Sequence, residues 1–272
     1  MPLETCWARP REEGITYPLK DHLLAVAKAV GSPSGEPTER LCFLSGLLHD
    51  AGKAQLAWQE YIRNPNKKRG SSVPHAPIGA GLFAVYGHYF LQHLGLARNR
   101  EMRLLFLRLT CDLADHHSRL SDIADDPPWS AGWDPCQLET MDLVGLAKLV
   151  QEYLPDTCPP WSYDSATIHA GLSGLRRTWQ RYVLQLGYFR RPGNPRQLAV
   201  YCDRSATAAL IVADRFHAGG IEENRITYQA AQKALDTFRA YCQERAASIK
   251  QKGGSAITDT RQQVQDQVVA RF

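Results

Sequence analysis

The chain has 272 residues, of which 44% are hydrophobic, and it carries a formal net charge of +4. This length suits one large or two small globular domains, and the modest charge excludes a protein that binds nucleic acid through charge alone. No apolar run approaches bilayer length, and the polar first residues do not resemble a secretion signal, so we expect a soluble cytoplasmic protein with no membrane partner.

Apolar residues recur at helical spacing along the chain, and no stretch alternates as a strand does, which predicts an all-α fold. Proline and glycine, which end helices, lie between the periodic segments. The predicted helices are, in chain order, 19–30, 38–61, 77–94, 99–115, 137–153, 166–188, 196–217 and 226–249.

A change of composition near the end of the sequence predicts a domain boundary. The segment "IKQKGGSAITDTRQQVQDQVVARF" passes through Gly-Gly-Ser into a polar, Gln-rich stretch. We therefore expect a globular domain over 1–250 and a connector over 251–272.

Ionisable residues occur at the start of the first predicted helix and at the end of an apolar run within the second. "LKDHLLAVAKAV" contains His22, and "LLHDAGKAQ" contains His49, Asp50 and Lys53. Side chains of adjacent helical residues diverge by about 100°, so His49 and Asp50 are expected to serve a site between helices. Imidazole and carboxylate together suit borderline divalent ions, and a carboxylate can bridge two of them. On a continuous helix Lys53 would project from the face of His49, where its ammonium could hold a phosphate.

Three later segments repeat this placement of ionisable groups. "VPHAPIGAG" sets His75 just before a helix that begins with proline, "DHHS" gives His116 and His117 at the end of an apolar helix, and "LIVADRFHAG" places Asp214 directly after an apolar run. A histidine doublet buried without partners would be costly. These positions are therefore further candidates for a polar site.

Each of these residues has an ordinary interpretation when it is taken singly. A lone histidine on a helix, such as His22 or His75, is more often a hydrogen-bonded surface or core residue than a ligand. Lys53 alone would be a solvated lysine, and Asp214 could pair with a neighbouring arginine. The order of the motifs along the chain is what favours a functional site.

That order resembles the HD superfamily of metal-dependent phosphohydrolases. The segments "HLLAVA", "GLLHDAGKAQLAWQEYI", "HAPIGAGLF", "LADHHSRL" and "LIVADRFHAG" together resemble the HD nuclease domain of the CRISPR-associated helicase-nuclease of type I systems, Cas three. The resemblance extends over about residues 17–249 and is weak between 127 and 198.

The resemblance implies an HD-domain helical bundle with a two-metal site between its helices. Asp50 would bridge the two ions, and Asp50 and Lys53 would be the catalytic residues, with Lys53 neutralising charge on the phosphate. The implied ligands are His22, His49, Asp50 and Asp214 for one ion, and Asp50, His75, His116 and His117 for the other. Because most of these donors are imidazoles, we expect Mn, Fe, Co or Ni rather than Mg.

The resemblance also implies a reaction and partners. The expected activity is hydrolysis of phosphodiester bonds in single-stranded DNA, coupled to a superfamily two helicase, fused or separate, and to an RNA-guided surveillance complex. No Gly-rich phosphate loop of the Walker type occurs in this sequence, so we expect no ATP site in this chain. The segments "RNPNKKRG", "GLRRTWQRY" and "YFRR" could contact DNA, although a solvated surface explains them equally well.

Two other functions remain compatible with the sequence. One is a nucleotide phosphohydrolase of the wider HD superfamily, which would share the metal site and act on small phosphate esters. The other is a docking module of a surveillance complex in which the HD site does no chemistry. The presence of every expected ligand argues against the second.

Overall fold

Helices make up the regular structure of the described part of the chain. The computed structural model describes residues 1–10, 15–64, 74–118, 120–130, 136–155, 163–185 and 204–218. These residues contain helices and no strand, apart from an isolated bridge between Trp7 and Pro18, so the all-α prediction is confirmed. All of them lie in one compact unit, Met1–Gly220. None of the helices in these ranges has the length and apolar character needed to cross a membrane.

Several predicted helices are found close to their predicted bounds, and that predicted at 196–217 is described from Ser205, because residues 196–203 lie outside the described residues. The α-helices of the described residues are α1 Leu19–Val30, α2 Pro37–Leu48, α3 Leu56–Arg63, α4 Ala76–His93, α5 Arg100–Asp115, α6 Cys136–Glu139, α7 Leu143–Tyr153, α8 Ser165–Gln185 and α9 Ser205–Ala218. The predicted helix at 226–249 and the predicted connector at 251–272 lie outside the described residues.

Helix α4 lies at the centre of the bundle. It packs against α2, α5 and α8, while α1 packs against α2 and α9. Phe83 of α4 and Phe106 of α5 are both buried, and their rings stack with centroids 5.9 Å apart. Burial of one such side chain stabilises the fold by roughly 1.5–3 kcal/mol. The apolar faces of these helices therefore fix the relative positions of their ends.

The predicted helix at 38–61 is wrong as a single element, because the chain leaves the helix in its middle. His49 still has helical angles, with φ −54° and ψ −44°, whereas Asp50 has φ −109° and ψ 13°. A 3-10 turn follows at Ala51–Ala54, and only then does α3 begin. The turn directs Asp50 and the residues after it away from the axis of α2.

Two glutamine side chains stabilise this turn. The Nε2 amide of Gln55 donates to the carbonyl oxygens of Gly52 and Pro74, each at 2.9 Å. The Nε2 amide of Gln59 donates to the carbonyl oxygen of Lys53 at 2.8 Å. These side-chain amides add hydrogen bonds to backbone carbonyls in and beside the turn.

Close approaches of backbone to backbone explain two glycines near the turn. A Cβ at Gly52 would lie 2.2 Å from the carbonyl oxygen of His75. A Cβ at Gly79 would lie 2.4 Å from the carbonyl oxygen of His49 and 2.6 Å from that of Leu48. Glycine at these two positions therefore allows the start of α4 to pack directly on the end of α2 and on the 3-10 turn that follows it.

The predicted helix at 137–153 is also divided, into α6 and α7. Asp142 lies between them, and its side chain accepts hydrogen bonds from the backbone N–H of Gly145 at 2.8 Å and of Leu3 at 3.0 Å. The first of these contacts is a helix N-cap, and the second ties α7 to the beginning of the chain. The cap explains why α7 begins afresh at Leu143.

Candidate metal centre

Two of the candidate ligands occupy equivalent positions, each directly after the last residue of a helix. His49 follows α2, and its Nδ1 donates to the carbonyl oxygen of Gly46 at 2.7 Å. His116 follows α5, and its Nδ1 donates to the carbonyl oxygen of Leu113 at 2.6 Å. Because a carbonyl can only accept, Nδ1 carries the proton in both rings. Nε2 is therefore the nitrogen that each ring presents to a cation.

One group of potential ligands surrounds the Oδ2 atom of Asp50. The Nε2 atoms of His22 and His49 lie 3.2 and 3.4 Å from this oxygen. The same two nitrogens lie 3.3 and 3.7 Å from Oδ1 of Asp214. All four residues are buried, and their donor atoms lie within 4.8 Å of one another.

A second group surrounds the other oxygen of the same carboxylate. The Nε2 atoms of His75, His116 and His117 lie 3.3, 3.4 and 3.7 Å from Oδ1 of Asp50. The donor atoms of this group also lie within 4.8 Å of one another. Asp50 thus belongs to both groups and faces a different set of imidazoles with each oxygen.

The structure brings together all seven residues that the sequence motifs singled out as ligands. Several of their polar atoms are buried and have no hydrogen-bond partner: Nε2 of His49, His75 and His116, and Oδ1 of Asp50. An unsatisfied buried polar group costs about 1–3 kcal/mol. A cation would accept these lone pairs, so the buried histidine and aspartate groups could hold a metal ion.

The electrostatics of the first group also suit a cation. Burial favours the neutral form of His49, yet the carboxylates of Asp50 and Asp214 raise its pKa to about 9. Burial likewise opposes ionisation of Asp50, but Lys53 and His49 hold the pKa of its carboxyl well below the usual range. The carboxylates therefore stay ionised and retain a proton on His49. A divalent ion bound between them would replace that proton.

The second group is less charged and reaches solvent. Burial lowers the pKa of both His75 and His116, so these rings are neutral and their Nε2 lone pairs are free for a metal. The side chain of His117 is 41% exposed, whereas that of His116 is fully buried. The cluster therefore opens to solvent on the side of His117.

The position of Lys53 differs from the sequence prediction. That prediction placed Lys53 one helical turn after His49, but Lys53 lies in the 3-10 turn and its ammonium pairs with Oδ2 of Asp50. The side chain is buried, and Nζ lies 5.8 Å from the ring centroid of Trp58. The argument from helical phase is thus wrong, although the ammonium does lie beside the candidate ligands.

His217 is a functional candidate that the sequence pattern did not single out. Its Nδ1 lies 3.0 Å from Nδ1 of His22, whose Nε2 faces the two carboxylates. A second partner of this kind fixes the orientation of a ligating imidazole. The available signal was the spacing, because residues three apart share a helix face and His217 follows Asp214 by three.

The segment "GLRRTWQRY" contributes its aromatic residues to the core and not to a surface. Trp179 and Tyr182 are 1% and 6% exposed, and the indole nitrogen of Trp179 donates to the carbonyl oxygen of Ala124 at 2.9 Å. Neither ring can stack on a base in this arrangement. The "YFRR" segment, and "RNPNKKRG" after Arg63 and Asn64, lie outside the described residues.

Comparison with protein-family models, curated proteins and solved structures gave no match for this chain. The resemblance to HD nucleases therefore stays a prediction that depends on the motifs and on the geometry of the cluster.

Proposed function

We propose that this chain is a metal-dependent nuclease of the HD type that hydrolyses phosphodiester bonds of single-stranded DNA. The observation that carries the proposal is the position of Asp50, whose two oxygens face separate groups of imidazoles. A carboxylate shared in this way suits two ions a short distance apart, the arrangement that hydrolyses phosphate esters in many two-metal enzymes.

In this proposal each residue has a distinct role. His22, His49 and Asp214 hold one ion, His75, His116 and His117 hold the other, and Asp50 bridges them. Divalent ions supply Lewis-acid activation of the phosphate ester and of water. Lys53 is paired with Asp50, and in this proposal its ammonium would neutralise charge that develops on the phosphate. The half-exposed His117 marks the side from which the substrate approaches.

The donor set favours particular metals. Five of the seven ligands are imidazoles, which suit Mn, Fe, Co or Ni, whereas Mg prefers oxygen donors and retains its waters. We therefore propose two divalent transition-metal ions as cofactors and expect weak or no activity with Mg alone.

The biological setting is proposed on the resemblance of the motifs to the type I CRISPR nuclease domain. In that setting the displaced DNA strand is delivered by a superfamily two helicase, fused or separate, after recognition by an RNA-guided surveillance complex. The expected location is the cytoplasm.

A cleavage assay with a metal series tests the proposal. Metal-loaded protein would be incubated with circular and linear single-stranded DNA and with a panel of mononucleotides. We expect cleavage of DNA with Mn, Co or Ni, loss of cleavage in Asp50→Ala, and retention in Asp126→Ala, which removes an exposed carboxylate elsewhere. Lys53→Met is expected to bind metal normally while kcat falls by about 100-fold.

The same assay separates the alternatives. Hydrolysis of mononucleotides without cleavage of either DNA would replace the nuclease proposal with a nucleotide phosphohydrolase. Protein that takes up no transition metal and cleaves nothing would indicate a docking module.

A further inference from the structure

A cavity of about 530 Å³ lies among α4, α5 and α8, away from the metal centre. Arg98, Arg103 and Arg181 line it together with His88, Tyr182 and Gln185. Along both α4 and α5, the residues that line the cavity lie far from the candidate ligands. His88 follows His75 by 13 positions and Arg103 precedes His116 by 13, which at 1.5 Å per residue is roughly 20 Å.

The cavity carries an excess of positive charge. Among the residues that the structure describes, three arginines contribute to its lining, and no aspartate or glutamate does. Arg103 lies in the first turn of α5, where the helix adds partial positive charge. Three guanidinium groups, with no carboxylate beside them in the described part of the lining, make a concave surface that favours an anion.

The guanidinium of Arg103 is already held in position. It donates to the side-chain oxygen of Gln185 and lies over the ring of Tyr182, 5.5 Å from the centroid. A group fixed in this way loses less conformational freedom when a ligand binds. The cavity therefore presents at least one oriented donor of the type that binds phosphate bidentately.

His88 also lines the cavity. Nδ1 of His88 is buried without a hydrogen-bond partner. Burial, and then the charge of Arg181, lower the pKa of His88 to about 4, so its ring is neutral at pH 7. Arg181 is therefore near enough to His88 to oppose protonation of its ring.

We propose that this cavity binds the phosphate group of a nucleotide or of a nucleic-acid backbone, as a second site independent of the metal centre. Arg98, Arg103 and Arg181 would contact the phosphate oxygens. The two sources share this chemistry and differ only in whether the phosphate is free or belongs to a longer strand.

Binding would be measured by calorimetry on the full chain in EDTA, which removes the metal centre from the experiment. The probes are inorganic phosphate, deoxythymidine monophosphate and a short single-stranded oligodeoxythymidylate. For any probe that binds, we expect Arg103→Gln combined with Arg181→Gln to weaken binding at least tenfold. Arg177→Gln, an equal charge change on α8 outside the cavity lining, is expected to change it less than twofold.

The outcomes are distinct. Binding of phosphate or the mononucleotide assigns the cavity to small phosphate esters, and binding of the oligonucleotide alone assigns it to a DNA backbone. Arg98→Gln, which lies outside the helix cores, provides the same comparison if the double variant fails to fold. Absence of binding by all three probes, or an equal loss in Arg177→Gln, would overturn the proposal.

Discussion

His49 and His116 end different helices, yet both are oriented by the same contact. Each ring donates from Nδ1 to the carbonyl oxygen three residues before it, and the two ring centroids lie 5.5 Å apart. The last carbonyls of a helix lack helical partners, so this contact satisfies the helix end and fixes the ligand at once. Two helix ends thereby direct Nε2 atoms at opposite oxygens of Asp50.

Removing one carboxylate at a time should separate the two groups of ligands. Asp214 belongs to one group only, whereas Asp50 belongs to both. We expect bound transition metal to fall from about two ions per chain to about one in Asp214→Ala, and to nearly none in Asp50→Ala. Elemental analysis after dialysis measures this. Equal metal content in the two variants would contradict the shared role of Asp50.

Loss of His217 should lower the metal affinity of the group that contains His22 and leave the metal affinity of the other group unchanged. His217 contacts the Nδ1 side of His22, and removal of such an outer partner typically lowers metal affinity by about 10- to 100-fold. Competition with a chelator should show this loss for one ion in His217→Ala. The exposed His169 on α8 provides a control, since His169→Ala should bind both ions normally.

Alanine at Gly79 should destabilise the fold. The added Cβ would lie within 2.6 Å of two carbonyl oxygens at the end of α2, and backbone atoms there cannot move away cheaply. We expect a loss of about 1–3 kcal/mol in the free energy of unfolding, measured by urea denaturation.

Gly174 provides the matched control for this substitution. A Cβ there meets no atom within 4 Å, and the residue lies inside α8. Gly174→Ala should therefore stabilise the protein by up to about 1 kcal/mol. Similar effects at both positions would mean that α4 does not pack on α2 as closely as described.

The neutral, largely buried His88 should make stability depend on pH. Its pKa is about 4 in the folded protein and near 6.5 in the unfolded chain, so the unfolded state takes up the proton first as pH falls. The contribution is complete above pH 6.5 and is lost progressively towards pH 4. Allowing for partial exposure, the loss is about 1–2 kcal/mol.

Urea denaturation in EDTA at several values between pH 7 and pH 4 measures this contribution. His88→Phe, which keeps an aromatic ring beside Phe106 and Tyr182, should lose less stability across that range than the parent protein. The exposed His93 on the same helix is the control, and His93→Gln should follow the parent. Parallel curves for the parent and His88→Phe would contradict the expectation.

Local patterns predicted several of the helices closely. The bounds of α1 agree with apolar periodicity alone, since its buried face recurs at helical spacing. The seven candidate ligands were implied by the resemblance of five motifs to the HD pattern, and the structure brings all seven together. Their residue types were visible in the sequence, whereas the position of His49 at a helix end was not, because the predicted helix 38–61 ran through it.

Features that depend on distant parts of the chain could not be predicted in this way. The break after His49 is stabilised by Gln55, whose amide reaches Pro74 as well as Gly52. The contact of His217 with His22 joins helices at opposite ends of the described chain. Apolar periodicity reports burial of a face and carries no information about which distant side chain satisfies a backbone carbonyl.

The meeting of α1 with α9 has a consequence for biosynthesis. His22 and His217 are separated by 195 positions. At about 5–20 residues per second, translation of that interval takes roughly 10–40 s. His22 therefore leaves the ribosome long before α9 exists, and its group of ligands can be completed only after almost the entire compact unit has been synthesised. A nascent chain that stalls earlier would lack the Asp214 carboxylate that faces His22 and His49.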